Sequence, residues 1–269
     1  MRTQPGGRGS ALNDIHIRTW PGDSDRLAVA LHCMMGSSAG WASIAQLLGG
    51  RVQLRAFDAP SHGRSRDWQP RPGTDYHTAV TEIARELMGD GPVDLIGHSL
   101  GATVALRIAV EAPWTIRTLT LIEPVLFAAD PARADVLGAD LRAAAATGDM
   151  AEATRLFLDD WGGPGGLLSM PAARREAAVR QMPLIIATDD ALAADVHDIL
   201  RPGGLEAIDA PTMLIRGDRS PPVIAAIAHS LSSRISHARC ETVTGAGHML
   251  PLTHPAAVAE LIGANLDRA

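Results

Sequence analysis

The sequence predicts an α/β fold built on a mostly parallel sheet, and three observations carry that expectation. Short strand-like runs recur at 27–31, 52–57, 93–96, 116–122, 212–216 and 238–243, and the most apolar of them have the texture of strands covered on both faces. Segments with apolar residues at helical spacing alternate with these runs, the order expected of crossover-connected parallel strands. Finally, the turn Gly97-His98-Ser99-Leu100-Gly101 joins an apolar run directly to a small-residue helical pattern (Ala102, Thr103, Ala105, Ala109). At 269 residues the chain is long enough for one large core.

Composition removes several classes of function. The formal net charge is −6 at pH 7, which argues against a nucleic-acid footprint. All 24 basic residues are Arg, so a Schiff-base lysine, a P-loop lysine and a Ser–Lys dyad are excluded. The two cysteines, Cys33 and Cys240, form no spaced framework, the expectation for a reduced, cytoplasmic protein. No stretch approaches the ~18 uninterrupted apolar residues of a membrane span, and no signal-peptide core is visible. The histidines never fall into a ligand spacing such as H-E-x-x-H, so neither a metal nor a cofactor is expected.

Taken in order, residues 1–10 are Gly-rich and polar and read as a mobile tail. Residues 14–20 alternate Ile15 and Ile17 with His16 and Arg18, which suits a half-exposed strand near a sheet edge. Pro21-Gly22-Asp23 turns the chain into the buried strand 27–31. The loop His32-Cys33-Met34-Met35-Gly36-Ser37-Ser38 then leads into a helix over 41–48. Strand 52–57 ends in Asp58-Ala59-Pro60-Ser61-His62-Gly63-Arg64-Ser65, read as a turn braced by its own side chains rather than a metal site. Over 76–89, Val80, Ile83, Ala84, Leu87 and Met88 share a helical face before a Gly stop, giving a right-handed crossover into strand 93–96.

Past strand 116–122 the texture changes. Strand signals vanish, and helical patterns appear at 132–147, 151–160, 172–187 and 191–200, interrupted by the Gly/Pro stretch 162–166. Residues 128–200 are therefore expected to form a helical insertion lying as a lid over the carboxyl edge of the sheet. Residues 1–127 and 201–269 are expected to form the core domain. The sheet resumes at 212–216, a helix with Val223, Ile224, Ile227 and Leu231 on one face follows, and strand 238–243 ends at Gly245-Ala246-Gly247-His248. A last helix from Pro255 turns Val258, Leu261, Ile262 and Leu266 inward.

Strand, Gly-x-Ser-x-Gly and helix in immediate succession make Ser99 a candidate nucleophile. The sharp turn lifts it to the carboxyl end of the sheet, with free N–H groups of the helix start beside it. His248, on a Gly-flanked loop after the last strand, is the candidate general base. His98 reads as a packing and hydrogen-bonding neighbour, and no base is placed to make Cys33 a rival nucleophile.

These residues together resemble the α/β-hydrolase superfamily in its cap-bearing branch. His32 with the Gly36 loop, Asp58-x-Pro60-x-His62-Gly63-x-Ser65, Gly97-x-Ser99-x-Gly101 and Gly245-x-Gly247-His248 occur in that family's order and cover nearly the whole chain. The resemblance implies an eight-stranded (or slightly shortened) mostly parallel sheet, a helical cap and Ser–acid–His chemistry. It also implies an oxyanion hole from the amides of Leu100 and Met34, although Cys33 stands where the usual pattern has Gly. The acid departs from that pattern too. Most relatives place it where this chain has Ser220, three residues after Gly217, and a serine cannot stabilise an imidazolium. Two carboxylates remain, Glu123 and Asp218. Glu123 is preferred because it ends a buried strand, where an unpartnered charge is expensive, and some relatives take their acid from that position. Asp218 is kept as the alternative.

The function this reading predicts is a cofactor-free serine hydrolase cleaving an ester-like acyl bond of a small, fairly apolar molecule. Epoxide hydrolysis and dehalogenation are set aside, since in this fold they use a carboxylate at the position of Ser99. C–C bond hydrolysis, lactone opening, thioester cleavage and acyl transfer stay open, as does a non-catalytic small-molecule sensor.

Overall fold

A computed structural model describes residues 10–130, 132, 137–162 and 166–269. Most of the expected tail (1–9), the middle of the Gly/Pro break (163–165) and part of the first insertion helix (133–136) lie outside the described residues. Among the described residues, β1 (Ile17–Trp20), β2 (Leu27–Leu31), β3 (Gln53–Phe57), β4 (Val93–His98), β5 (Ile116–Ile122), β6 (Thr212–Gly217) and β7 (Ala238–Val243) form one seven-stranded sheet. Its order is β1-β3-β2-β4-β5-β6-β7. Only β1 runs antiparallel, at one edge, and every other pairing is parallel. The sheet is thus the shortened form of the eight-stranded one.

The continuous apolar runs follow from burial on both faces. Along each central strand successive side chains join different cores: Leu95, Leu121 and Leu214 face one, and Ile96, Ile122 and Ile215 face the other. Helices α2 (Tyr76–Met88), α3 (Leu100–Glu111) and α7 (Pro222–Ser232) cover the first face. Helices α1 (Ala42–Leu47) and α8 (Pro255–Leu266) cover the second. The one charge inside β4, Asp94, is fully buried and accepts bonds from Arg26 Nε at 2.8 Å and Thr118 Oγ1 at 2.8 Å. A buried charge persists only when paired in this way.

Between β5 and β6 lie α4 (Ala139–Ala146), α5 (Met150–Trp161) and α6 (Ala172–Ala194). The two helices expected at 172–187 and 191–200 are corrected to a single one. Its polar middle does not break it, because Thr188 Oγ1 donates to Leu184 O at 2.6 Å and Asp189 pairs with Arg142 at 2.7 Å. It stops at Asp195, in the left-handed conformation, whose carboxylate accepts from the amides of Ile199 and Leu200. Residues 195–200 are therefore a capped turn, not a helix. The three helices share a small core of Leu137, Leu141, Ala153, Met182 and Ile185. They also reach the sheet domain: Trp161 and Leu192 join the larger core, and Gln181 Nε2 donates to Ser61 O at 2.7 Å.

Candidate active site

The turn after β4 is held sharp by its glycines. A Cβ on Gly97 would lie 2.3 Å from the carbonyl oxygen of Gly101, and one on Gly101 would lie 2.3 Å from that of Leu31. Ser99 between them adopts φ 57° and ψ −119°, a strained conformation for any residue with a side chain. The surroundings over-determine it: Ser99 N donates to Ile122 O at 2.9 Å, and Ser99 O accepts from the amides of Ala102 and Thr103 at 3.0 and 3.1 Å. The side chain therefore stands at the carboxyl end of the sheet.

One strand over, β5 delivers Glu123, also at positive φ (53°) and fully buried. Its Oε2 lies 2.9 Å from His248 Nδ1, and His248 Nε2 lies 2.9 Å from Ser99 Oγ. With Nδ1–H donating to the carboxylate, Nε2 is left to accept the serine proton. The other carboxylate oxygen accepts from Gly217 N at 2.7 Å and Ser220 Oγ at 2.8 Å. Ser220, at the position where the resemblance implies an acid, thus points its hydroxyl at the carboxylate that comes from β5. Asp218 is not brought to the histidine. It is exposed and accepts from Gly245 N at 2.8 Å, so it ties down the loop that carries His248.

The histidine is held from three sides. His98 Nε2 bonds to His248 O at 2.9 Å, and the two rings sit 5.2 Å apart. Trp161, at the end of α5, meets the imidazole at 4.8 Å and 83°, and Phe157 stacks on Trp161. No sequence signal marked Trp161 as a neighbour of His248, since its place depends on how α5 crosses the sheet edge.

The loop after β2 is braced by the turn that follows β3. Asp58 accepts from Ser38 N at 2.6 Å and Arg64 N at 2.9 Å. Burial alone would raise its carboxyl, but these bonds outweigh it and hold the group below the usual carboxylate range. His62 Nε2 accepts from Met35 N at 3.0 Å, and Tyr76 bonds to Pro60 O beside it. His32 Nε2 accepts from Ala59 N at 2.9 Å. Among the described residues no group of three His, Cys, Asp or Glu is arranged to hold a metal ion. The turn Cys33–Gly36 is closed by Gly36 N donating to Cys33 O at 3.0 Å, and Met34 within it lines one small cavity with Ser99 and Leu100. Cys33 itself is buried, and burial pushes its thiol up to about 12. It is therefore protonated at neutral pH and a poor nucleophile. Should the Met34 amide act as the oxyanion donor that the resemblance implies, replacing Met34 by Pro, which removes its amide hydrogen, is expected to cut turnover about 10²–10³-fold, the effect of one lost donor. A melting curve beside the rate separates that loss from misfolding of the loop.

Burial lowers the pKa of His62 and His98 to about 3 and lowers that of His32 as well. Unfolded histidines take up protons near pH 6.5, so below that pH the unfolded chain binds more protons than the folded one. Stability is therefore fully present above about pH 6.5 and falls as the pH drops toward 3. The urea midpoint should decrease between pH 7.5 and pH 5, and an unchanged midpoint would contradict the neutral, buried state of these rings.

Ser99 and His248 open into a cavity of about 270 Å³ whose walls include Met34, Phe157, Trp161 and Met170. No helix among the described residues is long and apolar enough to cross a membrane. The model of the family described as "Alpha/beta hydrolase family" matches residues 28–261. Over 268 residues the chain is 27% identical to "Lipase LipV" of Mycobacterium tuberculosis, covering 94% of this chain and 98% of that protein. It is 28% identical over 248 residues to a pimeloyl-[acyl-carrier protein] methyl ester esterase of Xanthomonas campestris pv. campestris, covering 87% and 92%. The crystal structure of a hydrolase from Pseudomonas aeruginosa PA01 superposes with a TM-score of 0.72 at 23% identity, covering 94% of each chain.

Proposed function

The chain belongs to the alpha/beta hydrolase family, and from that premise we propose that it is a serine hydrolase of carboxylesterase type using Ser99, His248 and Glu123. The observation that carries this reading is the relay of two 2.9 Å contacts, Glu123 to His248 to Ser99, at the floor of an apolar cavity. Ser99 Oγ attacks the acyl carbon while His248 Nε2 takes its proton, and the Glu123 carboxylate stabilises the imidazolium. The amides of Leu100 and Met34 receive the oxyanion. Collapse of the tetrahedral intermediate breaks the acyl–oxygen bond, His248 protonates the leaving alkoxide, and a water deprotonated by the same histidine hydrolyses the acyl-enzyme. Similarity to a lipase and to a methyl ester esterase supports ester cleavage over the other acyl-transfer reactions of the fold.

A fluorophosphonate probe should label the purified protein, with the adduct found by mass spectrometry on the peptide that contains Ser99. Short- to medium-chain aryl esters should be turned over, lactones more slowly. Absence of both labelling and turnover, with a ligand still raising the melting temperature, would replace this reading by a sensor.

We place residues 128–200 over the site as a cap, supported by Phe157, Trp161 and Met170 in the cavity wall. Replacing 129–200 by a short linker should then leave a foldable sheet domain with blurred substrate choice, because lids exclude water and shape the pocket. An unchanged selectivity profile would remove the cap from the site.

A further inference from the structure

Two spaces meet at Ser99, and they differ in which part of the proposed machinery they contain. The smaller, about 50 Å³, is lined by Met34, Ser99 and Leu100 together with Val125, Phe127 and Ile185. It holds the oxyanion candidates but not His248. The larger, about 270 Å³, holds His248 as well as Ser99, and Arg174 of α6 stands in its wall. Arg174 also lines an adjoining outer cavity of about 470 Å³, so it marks the passage between the two.

The chemistry assigns each space a half of the substrate. The leaving oxygen must lie beside the imidazole that protonates it, so the leaving alcohol occupies the larger cavity. The acyl group, whose oxygen must reach the amides of Leu100 and Met34, is left with the small one, mostly apolar but with Thr188 and the Arg142-paired Asp189 in its wall. The wall around the alcohol is otherwise mostly apolar, with Met170, Trp161 and Leu252 nearby, and Ser169 and Thr253 add only neutral hydroxyls. Arg174 makes no ion pair or side-chain hydrogen bond among the described residues, whereas its neighbour Arg175 donates to Met170 O at 2.7 Å. Helix stability does not account for it either. It sits in the first turn of a 23-residue helix that carries no acidic residue there, where the helix dipole disfavours a cation. Its charge is felt in the site, opposing the burial that raises the Cys33 thiol.

Resting on the serine-hydrolase reading above, we propose that Arg174 is a specificity residue that binds a carboxylate on the leaving-alcohol half of the substrate. The preferred substrate is then a short-chain acyl ester of an alcohol or phenol that bears a carboxylate.

The test compares 3-acetoxybenzoate and 3-(3-acetoxyphenyl)propanoate with their neutral N-methylamides, reading phenol release by wild type, Arg174→Gln and Arg174→Lys. Wild type should favour at least one carboxylate over its amide. Arg174→Gln should lower that kcat/KM ratio about 10- to 100-fold, the range for a lost hydrogen bond to a charged group, mainly through KM. Arg174→Lys should keep part of the preference, and added salt should weaken it, since the guanidinium is solvent-accessible. A ratio that does not change in Arg174→Gln overturns the proposal, including the case where both rates fall together because the cap has lost packing. If Arg174→Gln instead lowers a wild-type preference for mono-phenyl adipate over phenyl hexanoate, the anion lies on the acyl side and the assignment of the two spaces is wrong. If only an acidic carrier protein bearing the acyl group shows the effect, Arg174 belongs to a protein-docking face and the small-molecule proposal fails. Loss of turnover on every ester together with no fluorophosphonate labelling would mean that the hydrolase reading itself had failed, which the other outcomes leave intact.

Discussion

Glu123→Gln is expected to lower kcat about 10³–10⁴-fold, the effect of presenting a triad histidine with the wrong partner. The reason lies in the donors around the carboxylate. One oxygen of Glu123 accepts from the backbone amide of Gly217 and the hydroxyl of Ser220. A backbone N–H cannot be rotated away, so a glutamine must keep its single oxygen on that side. Its NH₂ group is then forced toward His248 Nδ1, which can only accept. That fixes the proton on Nε2, and the histidine can no longer remove the proton of Ser99. The negative charge opposing the imidazolium is lost as well. Asp218→Asn should change kcat by no more than about twofold, as expected of an exposed substitution. Steady-state rates on an aryl acetate, with melting curves for each variant, check both. A larger effect at Asp218 than at Glu123 would move the acid to β6's turn.

Ser99→Ala should remove about 10⁶ of kcat and all fluorophosphonate labelling, and His248→Ala should remove nearly as much. The double variant is the sharper measurement. Residues that act as one unit are not additive, so combining the two losses should cost little more than either alone. Product of the single effects in the double variant would show two independent contributions and no proton relay between them. A residual rate above buffer is expected from the proposed oxyanion amides, which neither substitution touches.

Much of this was legible along the chain because the informative elements are local. Strand, elbow and helix from 93 to 111 are contiguous, and the alternation of faces at Leu95 and Ile96 requires only that both sides of β4 be covered. The meeting of Glu123 and His248, 125 residues apart, was reached indirectly, from a serine where an acid was due and a carboxylate at the end of a buried strand. The helices between β5 and β6 were harder. Their patterns are Ala-rich and weakly sided, and whether α6 breaks at Thr188–Asp189 depends on Arg142 from another helix, which periodicity does not register. Trp161 stood out only as one of several apolar residues of the insertion that could line a pocket, and Arg174 had no local mark, since both owe their place to the tertiary crossing of α5 and α6 over the sheet edge.

Ser99 and Glu123 share a backbone property that bears on how such a protein ages in evolution. Each sits at positive φ at the end of a central parallel strand, a conformation that costs a residue with a side chain on the order of 1–3 kcal/mol. Glycine would relieve that cost at both positions. Selection for a sturdier fold and selection for turnover therefore pull codon 99 in opposite directions, whereas at 123 the bonds accepted from Gly217 N and Ser220 Oγ set the carboxylate's worth to the fold against the strain. A gene copy released from its substrate would relieve this strain by discarding the hydroxyl, and a glycine at 99 would be the earliest trace of a scaffold that had stopped being an enzyme.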